Sequence, residues 1–141
     1  MTNEKIKRMF DACYLAKRIR EMLPPLPQGV MPSYIQYMDK IQTMEKQGIC
    51  VKVSDISDAL NIPRPGVTRT VKEMETKGYL QKLSSPDDGR VTFITLTEAG
   101  KALSRKYDEH YFNELSSYLD DISEEDADCM IRTIGENFMR L

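Results

Sequence analysis

The tripeptide Asn61-Ile62-Pro63 constrains this chain more than any other feature, because it separates two helical patterns by only three residues. Before it, Ser54 has the side chain of an N-cap, and Asp55 sits in a first turn, where the helix dipole favours a carboxylate. Ile56, Ala59 and Leu60 then point a brief helix inward. After it a second helix begins around Arg64, tolerating Pro65 because a first-turn N–H has no intrahelical partner to lose. Val67, Thr70, Val71 and Met74 make its inner face, and Gly78 ends it. A short helix, a tight break and a helix of about four turns form a helix-turn-helix.

The hydrophobic period changes directly afterwards. Tyr79 to Ser84 and Val91 to Leu96 are β-prone runs separated by Ser85-Pro86-Asp87-Asp88-Gly89-Arg90. A proline at a corner, two acids and a glycine able to take positive φ predict a hairpin turning at Pro86–Gly89.

Longer helical patterns flank this centre. Asn3 to about Leu23 carries Ile6, Met9, Phe10, Cys13, Ala16 and Ile19 in one stripe, and Pro24, Pro25 and Pro27 end it. Val30 to Gln47 repeats Val30, Tyr34, Tyr37, Ile41 and Met44 before a stop at Gly48, and Val51 to Val53 reads as a short strand. Thr97 caps a helix to about Leu119 with Ala99, Leu103, Tyr107, Tyr111, Leu115 and Tyr118 on one side. Ser123 and Asp126 have capping-box spacing ahead of a last helix in which Ala127, Ile131, Ile134, Phe138 and Leu141 form a heptad-like seam. The expected fold is mainly α with a small β-hairpin, one domain over 1–141. The segment 51–96 is expected to close a small core alone, leaving apolar stripes on the terminal helices. Such unspent seams are covered by a second copy, with Phe10, Ile131, Ile134 and Phe138 as interface residues, or by each other within one chain.

The 141 residues carry a net charge of −2, which by itself disfavours nucleic acid, but the charges are segregated. Acids dominate from Asp108 onward, whereas Arg64, Arg69, Lys72, Lys77, Lys82 and Arg90 dominate 61–90. Local patches govern phosphate contact more than totals do. With Val67, Val71 and Met74 inward, the second helix offers Arg64, Pro65, Thr68, Arg69 and Lys72 outward, and Arg64, Thr68 and Lys72 lie on one stripe. An α-helix fits the major groove of DNA. Arginine there pairs bidentately with guanine or phosphate, and threonine suits a phosphate or a thymine methyl. Arg90 beside the hairpin turn is placed to enter a minor groove, with Asp88 orienting it.

Asp88-Gly89-Arg90 followed by Ile94-Thr95-Leu96-Thr97-Glu98-Ala99-Gly100 resembles the signature of the MarR family of winged-helix regulators, an Asp-x-Arg wing leading into an apolar-x-Leu-Thr-x-x-Gly helix start. Val67-Thr68-Arg69 and Lys77-Gly78-Tyr79-Leu80 are similar to that family's recognition helix and its exit. With no membrane-length run and no signal-peptide stretch after Met1 to Arg8, the expected location is cytoplasmic. The resemblance implies a dimeric, double-stranded-DNA-binding transcription regulator, a repressor at a pseudo-palindromic site, released by a small molecule or an oxidant. It makes 51–97 the DNA-binding lobe, and 1–47 with 98–141 the dimerisation helices. Two departures stand out. Pro63-Arg64-Pro65-Gly66 replaces the family's serine-rich helix start, and Gly89 stands where another arginine is usual.

Other functions find little in the chain. His110 is the sole histidine, so neither a catalytic triad nor a metal site of ordinary spacing is available, and no enzyme activity, metal or cofactor is expected. No apolar run reaches membrane-spanning length. Cys13, Cys50 and Cys129 are odd in number and far apart, which is no disulfide framework. Cys13, with Tyr34 and Tyr37, resembles the hydroperoxide-sensing branch of the family, although its apolar stripe favours an inert thiol. The alternative signal is an aromatic or phenolic ligand in a pocket lined by Met22, Met31, Tyr34, Tyr37 and Met38, with Met44 near it. A winged helix used for protein–protein contact without DNA is the competing class, and it would need an apolar outer face on the Arg64–Lys77 helix.

Overall fold

The computed structural model describes residues 1–21, 26–138 and 140. The described residues form seven α-helices and one hairpin in the order α1 (Asn3–Glu21), α2 (Pro32–Lys46), α3 (Val53–Leu60), α4 (Arg64–Thr76), β1 (Leu80–Ser84), β2 (Thr92–Leu96), α5 (Glu98–Tyr107), α6 (Asn113–Tyr118) and α7 (Glu124–Phe138). A π-helical turn, Asp108–Phe112, joins α5 to α6.

The core is built on α2. Its Tyr34, Ile35, Tyr37, Met38 and Ile41 are buried with Ile56 of α3, Val67, Val71 and Met74 of α4, and Leu80, Ile94 and Leu96 of the hairpin. The segment 51–96 therefore does not close its core alone: α2 supplies the largest buried side chains, and Leu103 and Tyr107 of α5 pack on the same cluster. The expected strand at 51–53 is reduced to one hydrogen bond, from the Ile94 N–H to the Val51 carbonyl at 2.8 Å. Val53 already belongs to α3, whose N-cap is Lys52 rather than Ser54. Asp55 explains the shift, because its carboxylate accepts the Lys52 N–H at 2.9 Å and fixes the helix start one turn before itself. Ser57, not Ala59, turns inward, donating to the Ile62 carbonyl at 2.5 Å across the break between α3 and α4. Asn61 takes the left-handed conformation that the break requires.

The hairpin pairs Leu80 with Leu96 through to Ser84 with Thr92. Its turn lies slightly later than expected, at Asp88–Val91, where the Val91 N–H donates to the Asp88 carbonyl at 3.0 Å. Gly89 is not in the positive-φ region. The Ser85 hydroxyl, accepting the Asp87 and Asp88 N–H groups at 3.3 and 3.4 Å, supplies the bend instead.

On α5 the small residues Gly100 and Ser104 are buried, and Ala99 is exposed. Gly100 is where this helix meets the turn between α4 and β1: a Cβ there would lie 2.2 Å from the Tyr79 carbonyl oxygen. Thr97 completes the junction, accepting the Gly100 N–H at 3.1 Å and donating to the Gly78 carbonyl at 2.5 Å. α7 opens as the sequence indicates, with the Ser123 hydroxyl accepting the Asp126 N–H at 3.0 Å.

Candidate nucleic-acid interface

Burial of Val67, Val71 and Met74 fixes the rotation of α4 about its axis, and the opposite surface consists of polar and basic side chains. Arg64, Pro65, Thr68, Arg69 and Lys72 are all exposed. Among the described residues, Arg64, Arg69 and Lys72 pair with no carboxylate, whereas Lys82 is held by Glu75 at 3.8 Å and Lys101 by Glu98 at 3.5 Å. The outer surface of α4 therefore presents three cations that are not neutralised by a neighbouring carboxylate. Its N-terminus has no side-chain cap. The Gly66 and Val67 N–H groups both donate to the Pro63 carbonyl, at 3.0 and 3.3 Å, and Pro65 has no N–H, so backbone closure replaces the missing hydroxyl.

At the hairpin tip Arg90 is 94% exposed, with its Nε 3.5 Å from Asp88 Oδ1. The same carboxylate oxygen accepts the Arg90 backbone N–H at 3.0 Å, so Asp88 fixes the turn as well as the guanidinium. An ion pair this exposed contributes little to stability. Arg90 is thus a cation held out from the fold by a short hydrogen-bonded turn, and the junction at Thr97 and Gly100 ties the base of its hairpin to the end of α4.

The residues expected around a ligand separate in the structure. Tyr34, Tyr37 and Met38 are fully buried in the core, Met31 is exposed, Met44 is half-buried, and Met22 lies outside the described residues. The Tyr34 hydroxyl is committed, donating to Glu73 Oε2 at 3.1 Å and accepting from Lys77 Nζ at 2.8 Å. A different cavity, of about 380 Å³, is lined by Leu26, Pro27, Leu103, Lys106, Tyr107, His110 and Tyr111. Tyr107 and Tyr111 stack there with ring centroids 4.0 Å apart. His110 and Tyr111 belong to the π-helical turn, and the sequence, read as one continuous helix to Leu119, offers no glycine or proline to signal it. Nearby, the Asp108 carboxyl titrates above its ordinary value, first because of burial and then because of Asp39.

The terminal helices leave most of their apolar surface uncovered. Phe10 is 53% exposed although it stacks on Phe138 of the same chain at 5.8 Å, and Ile131 is 71% exposed. Ile134, Met130, Ile122 and Leu119 are exposed too. The chain presents 10539 Å² to solvent. A compact monomer of 16.3 kDa would present about 7,500 Å². Cys13 is half-buried in α1, and Cys50 and Cys129 are exposed. Among the described residues no group of three or more His, Cys, Asp or Glu side chains could hold a metal ion, and no helix is long and apolar enough to cross a membrane.

A helix-turn-helix whose second helix carries an unpaired cationic stripe, followed by a hairpin with an arginine at its tip, defines the winged-helix class. Residues 34–91 match the family model described as MarR family. The chain has a winged-helix fold, and over that stretch it is similar to the MarR family. Among curated relatives, the HTH-type transcriptional regulator YdgJ of Bacillus subtilis is 32% identical over 68 residues, covering 46% of this chain and 42% of that protein. The chain spans about half the length of the curated relatives of this kind that it matches. In fold it is similar to a mutant MarR from E. coli complexed with operator DNA, at TM-score 0.73 and 16% identity over 94% of each chain. It is also similar to Bordetella bronchiseptica BpsR, whose DNA binding is regulated by 6-hydroxynicotinic acid, at TM-score 0.70 and 15% identity over 94% of this chain and 97% of that one.

Proposed function

We propose that this chain is a homodimeric, sequence-specific DNA-binding transcription regulator, a repressor at a pseudo-palindromic operator that a small aromatic ligand releases. The observation that carries the DNA reading is the outer face of α4. Arg64, Thr68, Arg69 and Lys72 stand exposed there while the opposite face is locked into the core, which is what a helix entering a major groove must present. Two copies placing α4 in successive major grooves, with Arg90 reaching the flanking minor grooves, would read a two-fold related site.

The second copy is supported by a surplus of about 3,000 Å² of exposed surface per chain over a compact monomer, about 6,000 Å² for two copies, which is enough to supply the roughly 2,000–5,000 Å² that obligate homodimers bury in total. The ligand is supported by the cavity at Leu26, Leu103, Tyr107 and Tyr111, whose aromatic walls suit a ring and whose Lys106 suits an acid or phenolate group. BpsR, a relative in fold, responds to a molecule of that chemistry. The polar face of α4 speaks against a winged helix that only binds protein.

Selection from a random duplex pool, followed by gel shift on the enriched sequence, tests the reading. Enrichment of an inverted repeat bound by a dimer is expected. Binding that never exceeds the affinity for random duplex would refute sequence-specific regulation.

A further inference from the structure

One basic side chain at the interface faces away from the stripe. Lys77, the C-cap of α4, turns back toward the segment that precedes α2. Its Nζ donates to the Gly29 carbonyl at 2.7 Å and to the Tyr34 hydroxyl at 2.8 Å, and stands 4.9 Å from the centre of the Tyr34 ring. Tyr34 passes the chain of bonds back to α4 through Glu73 at 3.1 Å. Lys77 and Glu73 are one helical turn apart, so both grip the same phenol from the last turn of α4. The Tyr34 ring is wholly buried and cannot move independently of α2.

The segment held at Gly29 has a second contact of consequence. Two and three residues earlier, Pro27 and Leu26 form one wall of the cavity beside Tyr107 and Tyr111. Val30 closes the segment onto Pro27, its N–H donating to the Pro27 carbonyl at 3.0 Å, so 26–30 is a short braced turn. A continuous line of contacts therefore runs from the cavity wall through the Gly29 carbonyl to the last turn of α4.

The geometry points to Lys77 as a positioning residue: it sets the angle of α4 from the cavity wall and carries movement of that wall to the DNA-reading surface, without itself touching DNA. This rests on the reading that α4 enters DNA. A phosphate-contacting lysine would extend outward, and one that bonds a carbonyl and a buried phenol on the far side has committed two of its three donors there.

The test compares Lys77→Met, Lys77→Arg and Tyr34→Phe with the unsubstituted protein. Binding is measured to a duplex selected by the wild-type protein and to a random duplex, over a range of salt, and amide hydrogen exchange is followed in the free protein. Lys77→Met is expected to bind the selected duplex about tenfold more weakly. Its affinity for random duplex and its slope of log K against log salt should be unchanged, because no phosphate contact is lost. Exchange should rise together in 26–31 and in the last turn of α4. Lys77→Arg, which keeps donor and charge, should restore most of the affinity, and Tyr34→Phe should fall between. A fall in salt slope of about one, with equal loss on both duplexes, would make Lys77 a phosphate contact and overturn the proposal. Unchanged affinity on the selected duplex, or exchange confined to one of the two segments, would also overturn it. If the wild-type protein selects no duplex, the DNA reading has failed, and the exchange comparison still decides whether Lys77 joins the two segments.

Discussion

Replacing Gly100 by alanine adds a single methyl group at the junction of α5 with the turn leaving α4. That methyl carbon would stand 2.2 Å from the Tyr79 carbonyl oxygen, 3.2 Å from its carbon and 3.4 Å from Leu96 Cβ. Carbon–oxygen contact distance is about 3.3 Å, so the two backbones must part by roughly 1 Å. Neither is a flexible side-chain end. The separation strains the two bonds that Thr97 makes across the junction, its N–H to Tyr79 at 3.1 Å and its hydroxyl to Gly78 at 2.5 Å. Overpacking of this kind costs about 1–3 kcal/mol, and a weakened hydrogen bond adds about 1 kcal/mol. Alanine's helix propensity returns up to ~1 kcal/mol, leaving a net loss on the order of 2 kcal/mol. For a chain of this size that lowers Tm by roughly 5–10 °C, measured by circular dichroism at equal protein concentration because an associating protein melts at a concentration-dependent temperature. Gly135→Ala is the control, since a Cβ there meets nothing within 4 Å, and Tm should hold or rise. A Gly100→Ala protein melting at or above the wild-type temperature would refute the close-approach argument.

Four further outcomes are expected. Sedimentation should give one species near twice the 16.3 kDa chain mass, and Ile131→Glu, which places a charge on the exposed α7 seam, should release monomer; a wild-type monomer at micromolar concentration would remove the dimer. Arg69→Ala and Lys72→Ala should each reduce the salt slope of DNA binding by about one, and unchanged slopes would contradict the assignment of α4. Arg90→Ala should cost about 1–3 kcal/mol on the best site and more on A·T-rich than on G·C-rich flanks, with a smaller loss for Asp88→Ala; equal losses on both flanks would make Arg90 a general phosphate contact. Organic hydroperoxide should leave the DNA complex intact, and release that disappears in Cys13→Ser would assign Cys13 a sensing role.

The helix-turn-helix and its outward cations were legible because local signals agreed: a proline break, an amphipathic period and a terminal glycine at Gly78 all pointed the same way. Gly78 does take positive φ, and the N–H of Tyr79 returns to the Met74 carbonyl at 2.9 Å as such a helix end requires. The start of α3 was misplaced because serine and aspartate compete for cap roles, and only the fold shows Asp55 reaching back to Lys52. The share of the core carried by α2 was hidden for another reason. Its stripe of Tyr34, Tyr37 and Ile41 has the same period whether it faces a second copy or its own winged helix. Lys77 stood inside a motif read only as a helix exit; its partners, Gly29 and Tyr34, are 48 and 43 residues away, and no periodicity reports such a contact.

The π-helical turn at Asp108–Phe112 acts as a phase shifter. Accommodating one extra residue per turn rotates everything that follows by about 100° relative to an uninterrupted α-helix. Upstream, Leu103, Ser104 and Tyr107 look into the winged-helix core. Downstream, Leu115 and Leu119 look out toward α7, where they share a groove with Met130 and Ile131. One nearly continuous rod thus serves two different hydrophobic clients on two of its sides. A one-residue deletion inside 108–112 would restore an ordinary helix with no loss of helical content. It would also swing the outward seam a quarter-turn or more away from its neighbours, so that each half remained folded while the alignment between them was lost.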